Sequence, residues 1–281
     1  MNPDRFRRAY PPTQPPASAP ARYLPFVGGR DLVTTNGTLL SGTVGEPLPL
    51  AIANAAPLYL GDLDGAACLA YAADERKVAE ASLAATGLRS LFDTLPTDEY
   101  ALAGYASHLL GWEETSRFCP KSGDPTAPTP NAWAKTCTVC GYTVYPLVSP
   151  AVLILVYDDA GRILLSHKPG WGERYSILAG FVEPGETPEE CVARETREEV
   201  GLRVEPGSIA YKGSQPWPYP NQLMLGFTAR CSAPETPIVL DETELDRAAW
   251  FAPGALPPLP GKLSLSRALI DAWLAEGDAK P

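Results

Sequence analysis

Apolar positions change period several times along the chain. Residues 151–157, AVLILVY, form an unbroken apolar run. A DDAG turn (158–161) and RILLSH (162–167) follow, and together they predict a strand hairpin. YSILAG (175–180) reads as another strand, 187–200 as a helix, 208–214 and 223–230 as extended segments, 248–251 as a short last strand and 262–274 as a final helix. Strands mixed with helices over 149–281 predict an α/β domain, a mixed sheet packed between helices. Upstream, over 23–115, short apolar pieces such as LYLGDLDGAACLAYA precede two helical patterns, about 76–92 and 98–114. In the second, Leu102, Tyr105, Ala106, Leu109 and Leu110 repeat at helical spacing, and the region reads as an α+β N-terminal domain. Residues 11–20, PPTQPPASAP, hold five prolines and no charge, which predicts a flexible leader over 1–22. No internal repeat is visible.

Composition narrows the function classes. The 281 residues are 45% apolar and 20% charged, an ordinary globular balance. The net charge of −10 argues against sequence-blind nucleic-acid binding, which relies on Lys and Arg neutralising phosphates. The longest apolar run falls far short of the roughly 20 residues of a membrane span. No apolar stretch follows the N-terminal arginines, so no signal peptide is expected and the expected location is cytoplasmic. The six cysteines then read as thiols or metal ligands rather than disulfides. With only His108 and His167, a His-based zinc centre or a Ser-His-Asp triad is not expected.

The segment 180–202 carries the chemistry. Thr187 suits an N-cap, Pro188 the first helical position, Glu190 the capping box and Gly201 a left-handed C-terminal cap. On that helix Glu195, Glu198 and Glu199 share one sector, while Glu189, Val192, Ala193, Thr196 and Val200 fall mainly on another. Arg194 lies one turn before Glu198 and can orient it. From Glu186 to Glu199 six acids face two bases, a local charge of −4. Carboxylates crowded in this way call for a hard divalent cation, which in turn bridges to phosphates; a solvated acidic face is the plain alternative. Gly180 and Gly185 permit close backbone approach just before the helix, where a phosphate can lie.

The string Gly180-x5-Glu186-x7-Arg194-Glu195-x2-Glu198-Glu199-x-Gly201-x resembles the box of the Nudix hydrolases, with seven identities fixed over 23 positions. Thr196 departs from it, standing where the family prefers an aliphatic residue. The resemblance implies a Nudix α/β/α sandwich and hydrolysis of a nucleoside diphosphate linked to another moiety, with Mg²⁺ or Mn²⁺. It also implies metal ligation by Glu195 and Glu199, with Glu198 and the Ala179 carbonyl beside them, and Glu198 or Glu199 as base.

Ser214-Gln-Pro-Trp-Pro-Tyr-Pro220 follows. Three prolines stiffen this loop, so Trp217 and Tyr219 can serve as flat stacking surfaces with the Gln215 amide beside them. A buried Trp-Pro corner is the alternative. The run SQPWPYPNQLM is similar to the SQPWPFP motif of the NADH pyrophosphatase subfamily of Nudix hydrolases. That resemblance implies NAD(H) as substrate, with Phe181 stacking on a ring, Glu244 as a further metal ligand, and Tyr145, Ser266 and Arg89 in substrate contact. Tyr219 replaces the usual Phe and Gln222 the usual Ser. The resemblance further implies a homodimer, and it admits NAD-capped RNA 5′ ends as substrate. A broader dinucleotide or ADP-ribose hydrolase and a catalytically silent ligand sensor are the rival readings. The four glutamates of the box, all present, speak against the sensor.

Residues 116–148 form a linker resembling the subfamily's zinc ribbon, C-x2-C-x14-C-x2-C. The spacing survives in Cys119, position 122, Cys137 and Cys140, but position 122 is Ser. Zn²⁺ normally takes four Cys or His ligands. The three thiols can hold zinc with water, Asp124 or a distant residue, or stay free while packing keeps the ribbon.

Overall fold

A computed structural model of the chain describes residues 1–10 and 14–278; residues 11–13 of the proline-rich leader lie outside them. The chain divides into two compact units, Met1–Leu147 and Val148–Pro281.

The second unit holds strands β11 (Ser149–Tyr157), β12 (Ile163–His167), β13 (Leu178–Phe181), β14 (Ala210–Trp217), β15 (Gln222–Arg230) and β16 (Arg247–Phe251). Its helices are α3 (Pro188–Val200) and α4 (Leu265–Asp278). The sheet order is β14-β15-β11-β12-β16, with β13 also on β11. Only β11 and β15 run parallel. Alternate side chains of β11 leave opposite faces. Val152, Ile154 and Val156 join Cys191, Val192 and Val200 of α3 in one core. Leu153 and Leu155 join Leu269 and Ile270 of α4 in the other. A strand covered on both faces must be apolar throughout, which is why AVLILVY shows no alternation. The expected α/β/α sandwich is what forms.

The first unit holds β1 (Phe6–Arg8), β2 (Pro20–Val27), β3 (Asp31–Thr34), β4 (Leu40–Thr43), β5 (Leu58–Leu63), β6 (Ala66–Ala72) and β7 (Ala84–Gly87), with α1 (Glu75–Glu80) and α2 (Thr97–Thr115). A three-stranded antiparallel ribbon follows: β8 (Thr126–Pro128), β9 (Lys135–Cys137) and β10 (Thr143–Val144). Two expectations are corrected here. The leader is not wholly flexible: β1 pairs with β5, Phe6 is buried, and Arg5 and Arg7 bond Asp64 and Asp62. The 76–92 helix stops after α1, at Ser82 with φ +55°, because Ala84–Gly87 pairs with β3 instead. Sheet pairing here overrides the helical propensity of an alanine-rich stretch.

The two units share a strand order. β2 pairs in parallel with β6, as β11 does with β15. β5 runs antiparallel to β6, as β14 does to β15. β3 and β4 flank β2 as β12 and β13 flank β11, and β7 lies on β3 as β16 lies on β12. The same strand order is thus built twice, though no sequence repeat marks it. The helices differ: the stretch between β4 and β5 has no counterpart of α3, and that between β15 and β16 has none of α1.

Candidate active site

Helix α3 is closed at both ends as its sequence predicts. Thr187 accepts from the Glu190 N–H while Glu190 accepts from the Thr187 N–H, completing the capping box, and Gly201 ends the helix in the left-handed region. Thr196 is fully buried and donates its hydroxyl to the Val192 carbonyl at 2.8 Å, so the one polar departure on the inner face is satisfied.

The glutamates fan out from this helix. Glu199 points inward, 3% exposed, and neither carboxylate oxygen receives a hydrogen bond. Glu195 lies against the backbone of β13, where a Cβ on Gly180 would overlap its carboxyl group. Glycine is therefore required at 180 by close approach rather than by turn geometry. Glu198 is half exposed. Arg194 ties the group to the preceding loop: it donates to Glu186 at 2.7 and 2.9 Å, Glu195 at 2.8 Å, Glu198 at 3.0 Å and the Phe181 carbonyl at 2.9 Å. The Lys168 ammonium, which the sequence reading missed, stands 2.8 Å from Glu244 and 3.5 Å from Glu199.

Two basic side chains among five acids leave negative charge in excess. Arg194 holds Glu186 down to about 2. Burial pushes Glu199 up to about 7, and it raises Glu195 as well, against the pull of Arg194. For Lys168 burial works downward, but Glu244 and Glu199 outweigh it and the net shift is upward. Among the described residues no three carboxylates converge within 4.8 Å; the cysteine trio is the group that does. A buried carboxylate with no hydrogen-bond donor, among like charges, is a fit for a hard cation.

Trp217 and Tyr219 meet edge to face at 5.0 Å, both half-buried, at the turn joining β14 to β15. The Gln215 amide donates to the Leu263 carbonyl and accepts from the Leu265 N–H, both at 2.8 Å. It thereby fastens the start of α4. There Ser266 is buried, its hydroxyl 3.0 Å from that of Ser264. Phe181 is 52% exposed at the end of β13, next to Ala179 and Gly180 of the same strand. Gln222 opens β15 opposite Trp217. Tyr145, exposed, and Arg89, in a short 3-10 turn (Leu88–Leu91), belong to the first unit.

That unit also carries the thiols. Cys119 to Gly123 and Cys137 to Gly141 form two matching turns. In each, the cysteine N–H bonds the carbonyl five residues on, and the left-handed glycine donates back to the cysteine carbonyl. Backbone N–H groups of Lys121, Val139 and Cys140 point at the Cys119 and Cys137 sulfurs, 3.4 to 3.5 Å away. The Cys140 N–H is the chief cause holding Cys137 down to about 6. Cys119 is also lowered, although burial opposes this. The Cys119 and Cys140 sulfurs stand 3.7 Å apart, and Ser122 Oγ lies 3.5 Å from Cys137 Sγ. Ser122 thus occupies the place in its turn that Cys140 occupies in the other. This cluster could hold a metal ion.

Comparison with known proteins agrees with both units. The NUDIX domain model matches residues 148–274, and a model described as the NADH pyrophosphatase-like rudimentary NUDIX domain matches 20–112. The chain belongs to the Nudix hydrolase family. Within it, the chain falls in the NADH pyrophosphatase subfamily, among relatives called NAD-capped RNA hydrolase NudC. The one from Mycobacterium bovis (strain BCG / Pasteur 1173P2) is 35% identical over 272 residues, covering 87% of this chain and 83% of its own length. The one from Pseudomonas aeruginosa (strain LESB58) is 43% identical over 187 residues, covering 66% of each. A crystal structure of a Nudix hydrolase from Nitrosomonas europaea covers 59% of this chain and 94% of its own at 21% identity, TM-score 0.49. No helix among the described residues is long and apolar enough to cross a membrane.

The raised Glu199 value predicts a pH dependence for the metal-free protein. The folded state retains a proton that the unfolded chain releases near the ordinary value of 4.5, so this group's contribution is fully present below 4.5 and is lost as pH rises through about 7. In denaturant melts after chelation, wild type should lose stability across that window relative to Glu199→Gln. Parallel stability curves for the two proteins would contradict the assignment.

Proposed function

We propose that this enzyme hydrolyses the diphosphate bond of NADH or NAD⁺ to NMN(H) and AMP, and removes NAD caps from RNA 5′ ends. The carrying observation is the buried Glu199 carboxylate, without a hydrogen bond and with the Lys168 ammonium 3.5 Å away, on the helix whose Glu195 lies against the Gly180 backbone. The relatives named for NAD-capped RNA supply the substrate class.

In this reading Glu195, Glu198, Glu199, Glu244 and the Ala179 carbonyl hold Mg²⁺ or Mn²⁺. When bound, such an ion polarises phosphoryl oxygen and lowers the pKa of water. Arg194 keeps Glu195 and Glu198 aimed while fastening the 181–186 loop through Glu186 and the Phe181 carbonyl. Glu198 or Glu199 accepts the proton of the attacking water, general-base help of about 10²–10⁴-fold. Water oxygen attacks phosphorus in line, the bridging P–O bond breaks, and the adjoining phosphate leaves with the bridging oxygen. Trp217, Tyr219 and Phe181 offer ring faces to the nicotinamide or adenine, and Gln222 borders them. Gln215 works from behind by setting the start of α4, with Ser266 in its first turn. Tyr145 and Arg89 are assigned substrate contact. The homodimer belongs to the same reading, supported by apolar side chains that the first unit exposes at Phe118, Val139, Tyr142, Tyr145 and Leu147.

The ribbon is read as a zinc site. Cys119, Cys137 and Cys140 supply soft ligands, and the two turns orient them from the backbone. The Ser122 hydroxyl lies at the fourth corner.

Three outcomes test this reading. NADH with Mg²⁺ or Mn²⁺ should yield NMNH and AMP, with loss under EDTA, and Glu199→Gln should lower turnover by at least about 10²-fold with the fold intact; near-normal turnover in that variant would overturn the site. Trp217→Ala should weaken NADH use by about 1–3 kcal/mol, judged from kcat/KM, and affect a small inorganic pyrophosphate less; equal losses would make the corner structural. Metal analysis of protein purified without added zinc should find one zinc per chain, and a zinc-free protein with an intact ribbon would refute the metal assignment.

A further inference from the structure

Lys168 has no place in the chemistry above, yet the fold takes care to position it. It directly follows β12, whose last residue, His167, is buried. The His167 ring is hydrogen-bonded to Asp246 through Nδ1 and to the Gly172 carbonyl through Nε2, the latter at 2.6 Å. The His167 carbonyl accepts from the Asp246 N–H at 3.2 Å. These bonds fasten the end of β12 both to the 241–246 loop, which carries Glu244, and to the turn that leaves Lys168. The ammonium is thereby held 2.8 Å from Glu244 and 3.5 Å from the otherwise donor-free Glu199.

Glu199 and Glu244 come from α3 and from a loop more than 40 residues downstream. Bringing two carboxylates together without a cation is unfavourable, more so where one is buried. Arg194 does not relieve this pair, because its bonds go to Glu186, Glu195, Glu198 and the Phe181 carbonyl. Lys168 is the side chain that does. An ammonium is a compact charge on a flexible four-carbon stem, able to withdraw without disturbing the backbone. Its side chain is 28% exposed, so a path to solvent is open.

We infer that Lys168 is a built-in counter-ion, seated between Glu199 and Glu244 and displaced when a divalent cation loads the acidic site. It is a positioning residue, and its effect is to set the ion concentration at which the site fills. The inference rests on the reading of α3 as the metal-holding helix.

The test is Mn²⁺ binding to the substrate-free full-length protein, followed by electron paramagnetic resonance of free Mn²⁺. Lys168→Met removes the competing charge and should bind Mn²⁺ at least about tenfold more tightly than wild type, since neighbouring like and unlike charges shift such equilibria by a decade or more. Lys168→Gln should do the same, which covers the case that the Met variant folds poorly. Lys168→Arg keeps the charge and should stay near wild type. Unchanged or weaker binding in both neutral variants would overturn the inference while leaving the enzyme assignment standing. Absence of any Mn²⁺ binding by wild type would overturn both.

Discussion

Negative charge packed against a strand backbone is the constraint around which the second unit is arranged. Glu195 lies where a side chain at position 180 would have to be, and Glu199 sits in the interior with no hydrogen bond and only the Lys168 ammonium near it, at 3.5 Å. Such an arrangement persists only if the helix carrying it cannot unwind or tilt away. The capping box at Thr187 and Glu190 fixes one end, and Gly201 closes the other. Cys191, Val192, Thr196 and Val200 hold the inner face. Arg194 then couples helix and loop: one guanidinium touches three carboxylates and a loop carbonyl, so the loop before the helix and the acids on it move as a unit.

The two units show what the strand order alone does and does not provide. Both build a sheet about a parallel pair, β2 with β6 and β11 with β15, with flanking strands in matching places. Only the second inserts an acidic helix after the strand that carries Gly180. The first instead runs from β4 to β5 without a helix. A shared scaffold thus carries the acidic helix in one copy and not in the other, as expected where function resides in side chains grafted on a fold.

Much of the second unit was legible in the sequence because its signals are local. Capping residues, the glycine after the helix and acids spaced by one turn all lie within 180–202, and no long-range contact is needed to interpret them. β11 was legible because burial on both faces leaves no room for polar residues. What stayed hidden depends on distant partners. Residues 84–87 resemble helix until β3 claims them, and Phe6 resembles a loose terminus until β5 covers it. The repeated strand order left no trace because alternating apolar positions, rather than identities, specify pairing. Lys168 meets Glu244 across 76 residues, with no motif to announce it. The partners of the Gln215 amide lie 48 and 50 residues away, where no local pattern announces them.

The thiol cluster illustrates the same division between backbone and side chain. Losing one of four soft ligands would ordinarily be expected to dismantle a small metal ribbon, since such sites contribute much of the folding free energy. Here the ligand geometry does not depend on the fourth sulfur. Each turn is closed by its own pair of backbone hydrogen bonds and by a left-handed glycine, Gly123 in one and Gly141 in the other. Amide N–H groups already aim at Cys119 and Cys137, favouring thiolate over thiol before any ion is present. Ser122 keeps an oxygen where the sulfur would be, 3.5 Å from Cys137. Serine at position 122 therefore leaves intact the frame that brings the three thiols together.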